Sequence, residues 1–287
     1  MTIQLTTGPT PVIDFHVHVY PEKLAPRVMA AFSKFPILIG TDGTVAAWLA
    51  HMDAAGVDKS VLLTVPTKPA QVVAANDFLR PLLYHDRFIP FAGVHPACED
   101  AAGIVRRAAR EGFRGIKLHP IMQGFKPQDA RMFPIYDAAI DAEMVILFHA
   151  GAGMDFDAED KPMSTTNAAR GTLADFAALF AQRDYGQYQR FVFAHLGGRP
   201  NFQQFPDFKR GWPGYLDLAY TMGLMPDEHL LALARDFGCD RILFGTDGPW
   251  ADEQRDLDYL LHIGFDDDEL RGILYNNAAQ LLGLEKR

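Results

Sequence analysis

The sequence predicts an α/β fold, a (β/α)8 TIM barrel built as a single domain, on three observations. Eight short apolar runs recur along the 287 residues. Amphipathic stretches of helical period separate most of them. Six of the ten histidines fall at or near the ends of those runs. The runs begin at Val12, Lys59, Arg87, Phe113, Glu143, Gln189, Tyr215 and Arg241. Most are rich in Val, Ile, Leu and Phe and bounded by turn residues, the composition of strands buried on both faces. Strand and helix then alternate with a repeat of about 36 residues, the size of a barrel unit. A doubly wound open sheet is the rival. It has fewer strands as a rule, and the Gly-rich dinucleotide fingerprint expected after its first strand is missing. The barrel core is expected over about 12–285, with residues 1–11 as an N-terminal tail.

The helices carry readable ends. Thr44 is placed to cap a helix whose Val45, Trp48, Leu49 and Met52 fall at i, i+3, i+4 and i+7, with Gly56 as its stop. Leu230, Leu231, Ala234 and Phe237 make a similar stripe closed by Gly238, and Ile104, Val105 and Ala108 precede Gly112. Asp266 to Asp268 suit the positive N-terminal end of a helix carrying Leu270, Ile273 and Leu274. The connection between the sixth and seventh strands, RPNFQQFPDFKRGWPG, has three prolines and no stripe.

Composition narrows the class. Lys and Arg total 27 against 36 Asp and Glu, and 27 − 36 = −9. That balance argues against a nucleic-acid binder and against an anionic membrane surface. No run approaches a membrane span and no signal peptide is evident at the N-terminus. Cys98 and Cys239 form no disulfide framework or zinc ribbon, so a cytoplasmic location is expected. The expected partner is a small-molecule substrate; whether the chain forms a homo-oligomer is left open.

His51, His85, His229 and His262 sit within helical stretches, where an ordinary helix position accounts for them. His16, His18, His95, His119, His149 and His195 sit at strand ends. In a barrel the carboxyl ends of the strands carry the chemistry. Alternation along the first strand puts Asp14, His16 and His18 on one face, opposite Phe15, Val17 and Val19. Strands one and eight are neighbours in a closed barrel, so Asp247, ending FGTD, is within reach of His16 and His18, and His149 comes from across the barrel. Imidazoles plus a carboxylate suit a divalent ion, zinc above others.

The residues resemble a known family at this point. His-x-His on strand one, GIKLHP on four, FHAG on five, AHLGG on six, FGTDGPW on eight and the closing YNNAAQLLGL are similar to the amidohydrolase superfamily. Within it they resemble the amidohydrolase 2 branch, which includes aminocarboxymuconate-semialdehyde decarboxylase. The resemblance runs from Asp14 to Leu284. It implies metal ligation by His16, His18, His149 and Asp247, one Zn2+, and proton handling by Asp247 and His195. In binuclear members a strand-four lysine is carboxylated and bridges two metals; this branch is mostly mononuclear, so Lys117 is expected to balance carboxylate charge near the substrate. His119 and Trp250 are further candidate substrate contacts, and Tyr20, Phe125 and Arg199 candidate pocket walls. The long loop after strand five is placed to deliver Arg170 to an anionic group, though a solvated acidic loop explains it equally. His95 reads as a residue behind the ligands or as a structural one. Asp217 reads as structural.

The implied function is hydrolysis of a small amide, lactone or ester through a metal-activated water. The alternative is a metal-dependent decarboxylase of an aromatic or unsaturated carboxylic acid. Both use the same site, so the motifs do not separate them. A barrel that binds without catalysis is disfavoured, because both Asp247 and His195 are retained. A related deoxyribonuclease is disfavoured by the charge of −9 and the missing strand-four glutamate.

Overall fold

A computed structural model describes residues 3–33, 35, 37–151, 171–198 and 211–284. Each predicted run contains a strand: β1 (Ile13–His18), β2 (Lys59–Leu63), β3 (Phe88–Pro90, resuming at Ala92–Gly93), β4 (Gly115–Leu118), β5 (Val145–Phe148), β6 (Phe191–Phe193), β7 (Tyr215–Asp217) and β8 (Ile242–Leu243). The predicted helix ends are also present. The Thr44 hydroxyl accepts from the Ala47 amide to start helix Val45–Ala55, and Gly56 ends it in the left-handed region at φ 77°. Asp100 and Gly112 do the same for Ala101–Glu111, and Asp266 with Glu269 forms a capping box on Asp267–Arg271. No helix among the described residues is long and apolar enough to cross a membrane.

The chain divides into two compact units. The first comprises Met1–Leu63, Tyr84–Ile89 and Asp217–Arg287. There β1, β2 and β3 are hydrogen-bonded in that order, with β1 and β2 parallel from Ile13↔Lys59 to His18↔Leu63. The register shifts between Asp14 and Val17, a bulge within β1. The other edge of β1 takes the chain that continues β8. The Phe15 amide donates to the Phe244 carbonyl at 2.8 Å, the Asp247 amide to His16 at 2.8 Å, and the His18 amide to Gly248 at 2.6 Å. First and eighth strands are thus neighbours, as a barrel requires. Beyond them the Leu218 amide donates to the Leu243 carbonyl at 3.0 Å.

The core of this unit holds Phe15, Val17, Trp48, Met52, Leu62 and Phe244, all fully buried. Trp48 satisfies its ring N–H on the Ser60 hydroxyl at 3.0 Å and lays its ring against Gly248, where an added Cβ would lie 2.2 Å from the indole. Within the N-terminal tail, Ile3–Leu5 and Gly8–Thr10 pair as an antiparallel hairpin. The Asp267 carboxylate ties it down, accepting from the Thr7 amide and from the hydroxyls of Thr6 and Thr7.

The second unit comprises Thr64–Leu83 and Pro90–Leu216. Its strands are parallel throughout: Ala92↔Ile116, Ile116↔Ile146, Ile146↔Phe191 and Leu216↔Phe193 set the register. Its core is aromatic, with Phe148 edge-on to Phe176 at 5.1 Å and to Tyr136 at 5.7 Å. Gln123 joins three strand ends. Its amide nitrogen donates to the carbonyls of Pro66 (3.0 Å) and Val94 (2.7 Å), and its oxygen accepts from the His119 amide at 2.9 Å.

Overpacking at the Trp48–Gly248 contact gives a test of this arrangement. Gly248→Ala is expected to lower the stability of the metal-free protein by about 1–3 kcal/mol in a urea titration, because the rigid indole must move. An unchanged midpoint would show that the contact is slack.

Candidate metal centre

Three predicted ligands meet in the first unit. His16 Nε2 lies 3.4 Å from Asp247 Oδ1, and His18 Nε2 lies 3.3 Å from the same oxygen. One ligand atom from each residue falls within 4.8 Å of the others, and among the described residues no other group of three His, Cys, Asp or Glu does so.

The partners behind the rings decide their tautomers. His16 Nδ1 lies 2.8 Å from Asp217 Oδ2, and His18 Nδ1 lies 3.1 Å from the Leu63 carbonyl. An ionised carboxylate and a carbonyl only accept, so both Nδ1 atoms carry the proton. Both Nε2 lone pairs are therefore left facing Asp247, as ligation needs. Two imidazole nitrogens and a carboxylate oxygen around one point fit a divalent ion.

Asp247 is held by its backbone. Its φ is +71°, a conformation rare outside glycine. Its amide bonds His16, and its carbonyl accepts from the Trp250 amide at 3.0 Å. The preceding Thr246 hydroxyl donates to Asp14 Oδ2 at 2.6 Å and accepts from the Gly248 amide at 3.0 Å. Asp14 also accepts from the amides of His16 (3.0 Å) and Thr246 (3.1 Å). Simple alternation grouped Asp14 with His16 and His18. The structure separates them: the two imidazoles meet Asp247, while the Asp14 carboxyl goes to Thr246 and Glu253. The bulge between Asp14 and Val17 interrupts the alternation at that point.

Burial pushes Asp14 up to about 7 in spite of those hydrogen bonds. Glu253 is also fully buried, and neither of its oxygens has a conventional donor. Burial raises its pKa well above the ordinary carboxyl value, and the adjacent Asp14 raises it further. Two neighbouring buried carboxyls cannot both be ionised at little cost, so Glu253 keeps its proton. Tyr20 stays a neutral phenol, since burial first and the Asp247 charge second push its pKa up.

The second unit gathers three more predicted residues. His195 Nε2 lies 3.0 Å from His149 Nδ1, and the His119 ring stacks on His149 at 3.9 Å with 8° between planes. His195 and Leu196 both have positive φ, 59° and 51°, at the end of β6. The Met122 amide donates to His119 Nδ1 at 3.3 Å, so the Nε2 of a neutral His119 carries the proton and offers a donor, not a ligand lone pair. His95 accepts from the Ala97 amide at 3.1 Å and reaches the Thr67 backbone, and burial lowers its pKa. Both sides of the His95 ring are thus used by backbone. Lys117 is buried in β4 beside Gly93 and Leu147. Trp250, in the first unit, stacks on Phe32 at 3.8 Å. Arg170 and Arg199 lie outside the described residues.

Asp14, Thr246, Glu253 and the role of Asp217 escaped the sequence reading. For Asp14 and Asp217 a signal existed: each is a lone carboxylate inside an apolar strand, and such a group must find a partner. For Glu253 there was none, because an acidic residue opening a helix reads as an exposed cap.

The strand–helix repeat and the His–His–Asp cluster define the class: a (β/α)8-barrel enzyme with a candidate divalent-metal centre. More particularly, the chain belongs to the amidohydrolase family, whose model matches residues 13–284. Solved structures share the barrel. A 2,6-dihydroxybenzoate decarboxylase from Rhizobium is 16% identical with a TM-score of 0.70, over 96% of this chain and 99% of that one. A 5-carboxyvanillate decarboxylase from Sphingomonas paucimobilis is 15% identical with a TM-score of 0.74, over 96% and 99%. A dihydroxybenzoic acid decarboxylase from a Polaromonas species, holding manganese and 2-nitroresorcinol, is 17% identical with a TM-score of 0.73, over 97% and 98%. No curated protein sequence matches.

The buried carboxyl pair has a measurable consequence. Because the folded pKa of Glu253 lies above its unfolded value, its contribution is intact below about pH 4.5 and is lost as pH rises toward the folded value. Glu253→Gln removes that loss. Its unfolding free energy in urea is expected to rise relative to the unsubstituted protein as pH goes from 5 to 8, by up to about 1.4 kcal/mol per pH unit. A constant offset across that range would mean that Glu253 ionises normally.

Proposed function

We propose that this protein is a metal-dependent decarboxylase of an aromatic or unsaturated carboxylic acid. The observation that carries the reading is the His16–His18–Asp247 cluster on a barrel whose similar solved structures include decarboxylases of hydroxylated benzoates. Those likenesses favour decarboxylation over hydrolysis. Hydrolysis of an amide, lactone or ester remains the second reading, supported by the family description and by the same cluster.

The proposed cofactor is one divalent ion held by His16, His18 and Asp247, with His149 as the fourth ligand that the family resemblance implies. Zinc was the expectation from the ligand types; manganese in the Polaromonas relative makes it an equal candidate. When bound, the ion supplies positive charge that draws in a substrate oxygen and stabilises negative charge developing there. The remaining work falls to side chains. An acid, Asp247 or His195, protonates the carbon that bears the carboxylate. The bond to the carboxylate carbon breaks, its electron pair returns to the ring or double bond, and CO2 departs. Solvent then restores the acid. General acid catalysis of this kind is worth roughly 10²–10⁴-fold. His119 offers its Nε2–H to a substrate oxygen, Lys117 balances carboxylate charge, and Trp250 forms an apolar wall. Arg170 is the proposed anchor for a second anionic group.

The test is an assay of hydroxylated benzoates and unsaturated acids for CO2 release, beside esters, lactones and amides for hydrolysis. CO2 release abolished by a chelator, restored by Mn2+ or Zn2+, and reduced at least 10³-fold in His16→Ala is expected. Turnover of an ester, lactone or amide alone would establish the second reading. Full activity without metal would overturn both.

A further inference from the structure

Asp217 ends β7 in a run of apolar residues and has no exposed surface. A carboxylate so placed must be matched by donors, and its two oxygens are used separately. Oδ1 accepts from the Ala219 amide at 3.1 Å, which sets the plane of the group. Oδ2 faces His16 Nδ1 at 2.8 Å, and His16 is itself 1% exposed.

The contact passes over the chain that continues β8. Gly245 lies there, and an added Cβ would stand 3.1 Å from His16 Cβ and 3.6 Å from Asp217 Cβ. Gly245 is not among the residues with positive φ, so no backbone conformation demands glycine. Space does: a side chain at 245 would enter the gap through which Asp217 reaches His16.

We infer that Asp217 is a positioning residue of the metal centre, acting through His16 across the gap left by Gly245. This rests on the metal reading above. The two imidazoles of the centre are backed differently, His18 by a neutral carbonyl and His16 by a carboxylate. A carboxylate behind a ligating imidazole locks its tautomer and orientation and makes its free nitrogen a stronger donor to metal. His16 is therefore the firmer of the two, and Asp217 makes it so.

The test measures Mn2+ and Zn2+ dissociation constants by competition with a chromophoric chelator on the full chain, together with melting of the metal-free protein. Asp217→Asn keeps the shape but presents a neutral amide. It is expected to weaken metal binding 10–100-fold while the metal-free melting temperature stays close to that of the parent. Gly245→Ala keeps both partners but crowds the gap, and a loss of affinity of the same order is expected. In proton NMR of the metal-free protein, the His16 Nδ1–H signal, identified by its absence in His16→Ala, should move in Asp217→Asn. A role in folding alone would lower the melting temperature and leave the affinity of the folded fraction untouched. Parent-like affinity in both Asp217→Asn and Gly245→Ala would overturn the inference while leaving the metal reading intact. Failure of the parent to bind either ion, or parent-like binding by His16→Ala, would overturn the metal reading and the inference with it.

Discussion

The register in which the chain after β8 lies against β1 sets the distances within the His16–His18–Asp247 cluster. Asp247 gives its amide to His16, and Gly248 receives the amide of His18, so the two strands alternate donor and acceptor around the three candidate ligands. A one-residue slip would turn Asp247 away from both imidazoles. That register is secured from one side by Trp48, whose ring occupies the space a side chain at Gly248 would need. From another side it is secured by Asp14, which bonds the amide and hydroxyl of Thr246 and the amide of His16. The positive φ of Asp247 is tolerable because its surroundings over-determine it.

The acidic residues of this unit show how position alone gives one functional group several characters. Asp217 is fully buried and answered by an imidazole. Asp14 is fully buried and answered by three hydrogen bonds and a neighbouring acid. Glu253 is buried without a conventional donor and so holds its proton. Asp247, whose side chain is 14% exposed, turns toward two lone pairs instead of donors. Of the four, Asp247 has both the exposure and the company to serve a metal and a proton transfer. The others hold the scaffold and the rings around it.

The histidines divide by the same logic. Rings whose Nδ1 meets an acceptor present a lone pair at Nε2, as in His16 and His18. Rings whose Nδ1 meets a backbone amide present a donor or nothing, as in His119 and His95. Their placement at strand ends was legible in the sequence, because apolar periodicity locates a strand and the next polar residue marks its end. Their protonation was not legible, since it depends on atoms as distant in sequence as Asp217 is from His16. The bulge that detaches Asp14 from its neighbours was equally hidden. It reflects how β1 pairs with β2, not any residue within β1.

The sequence by itself determined the strand–helix alternation, the helix ends at Thr44, Gly112 and Asp266, and the candidate ligands His16, His18 and Asp247. These follow from short-range periodicity and from the chemistry of single side chains. The tertiary structure alone decided that Asp217 backs His16, that Gly245 leaves room for it, and that Asp14 and Glu253 are buried as neighbours. Each of those joins residues some 30 to 240 positions apart. Local propensity carries no information about such contacts, because only the packing of β7, β8 and β1 side by side removes the water that would otherwise solvate each group alone.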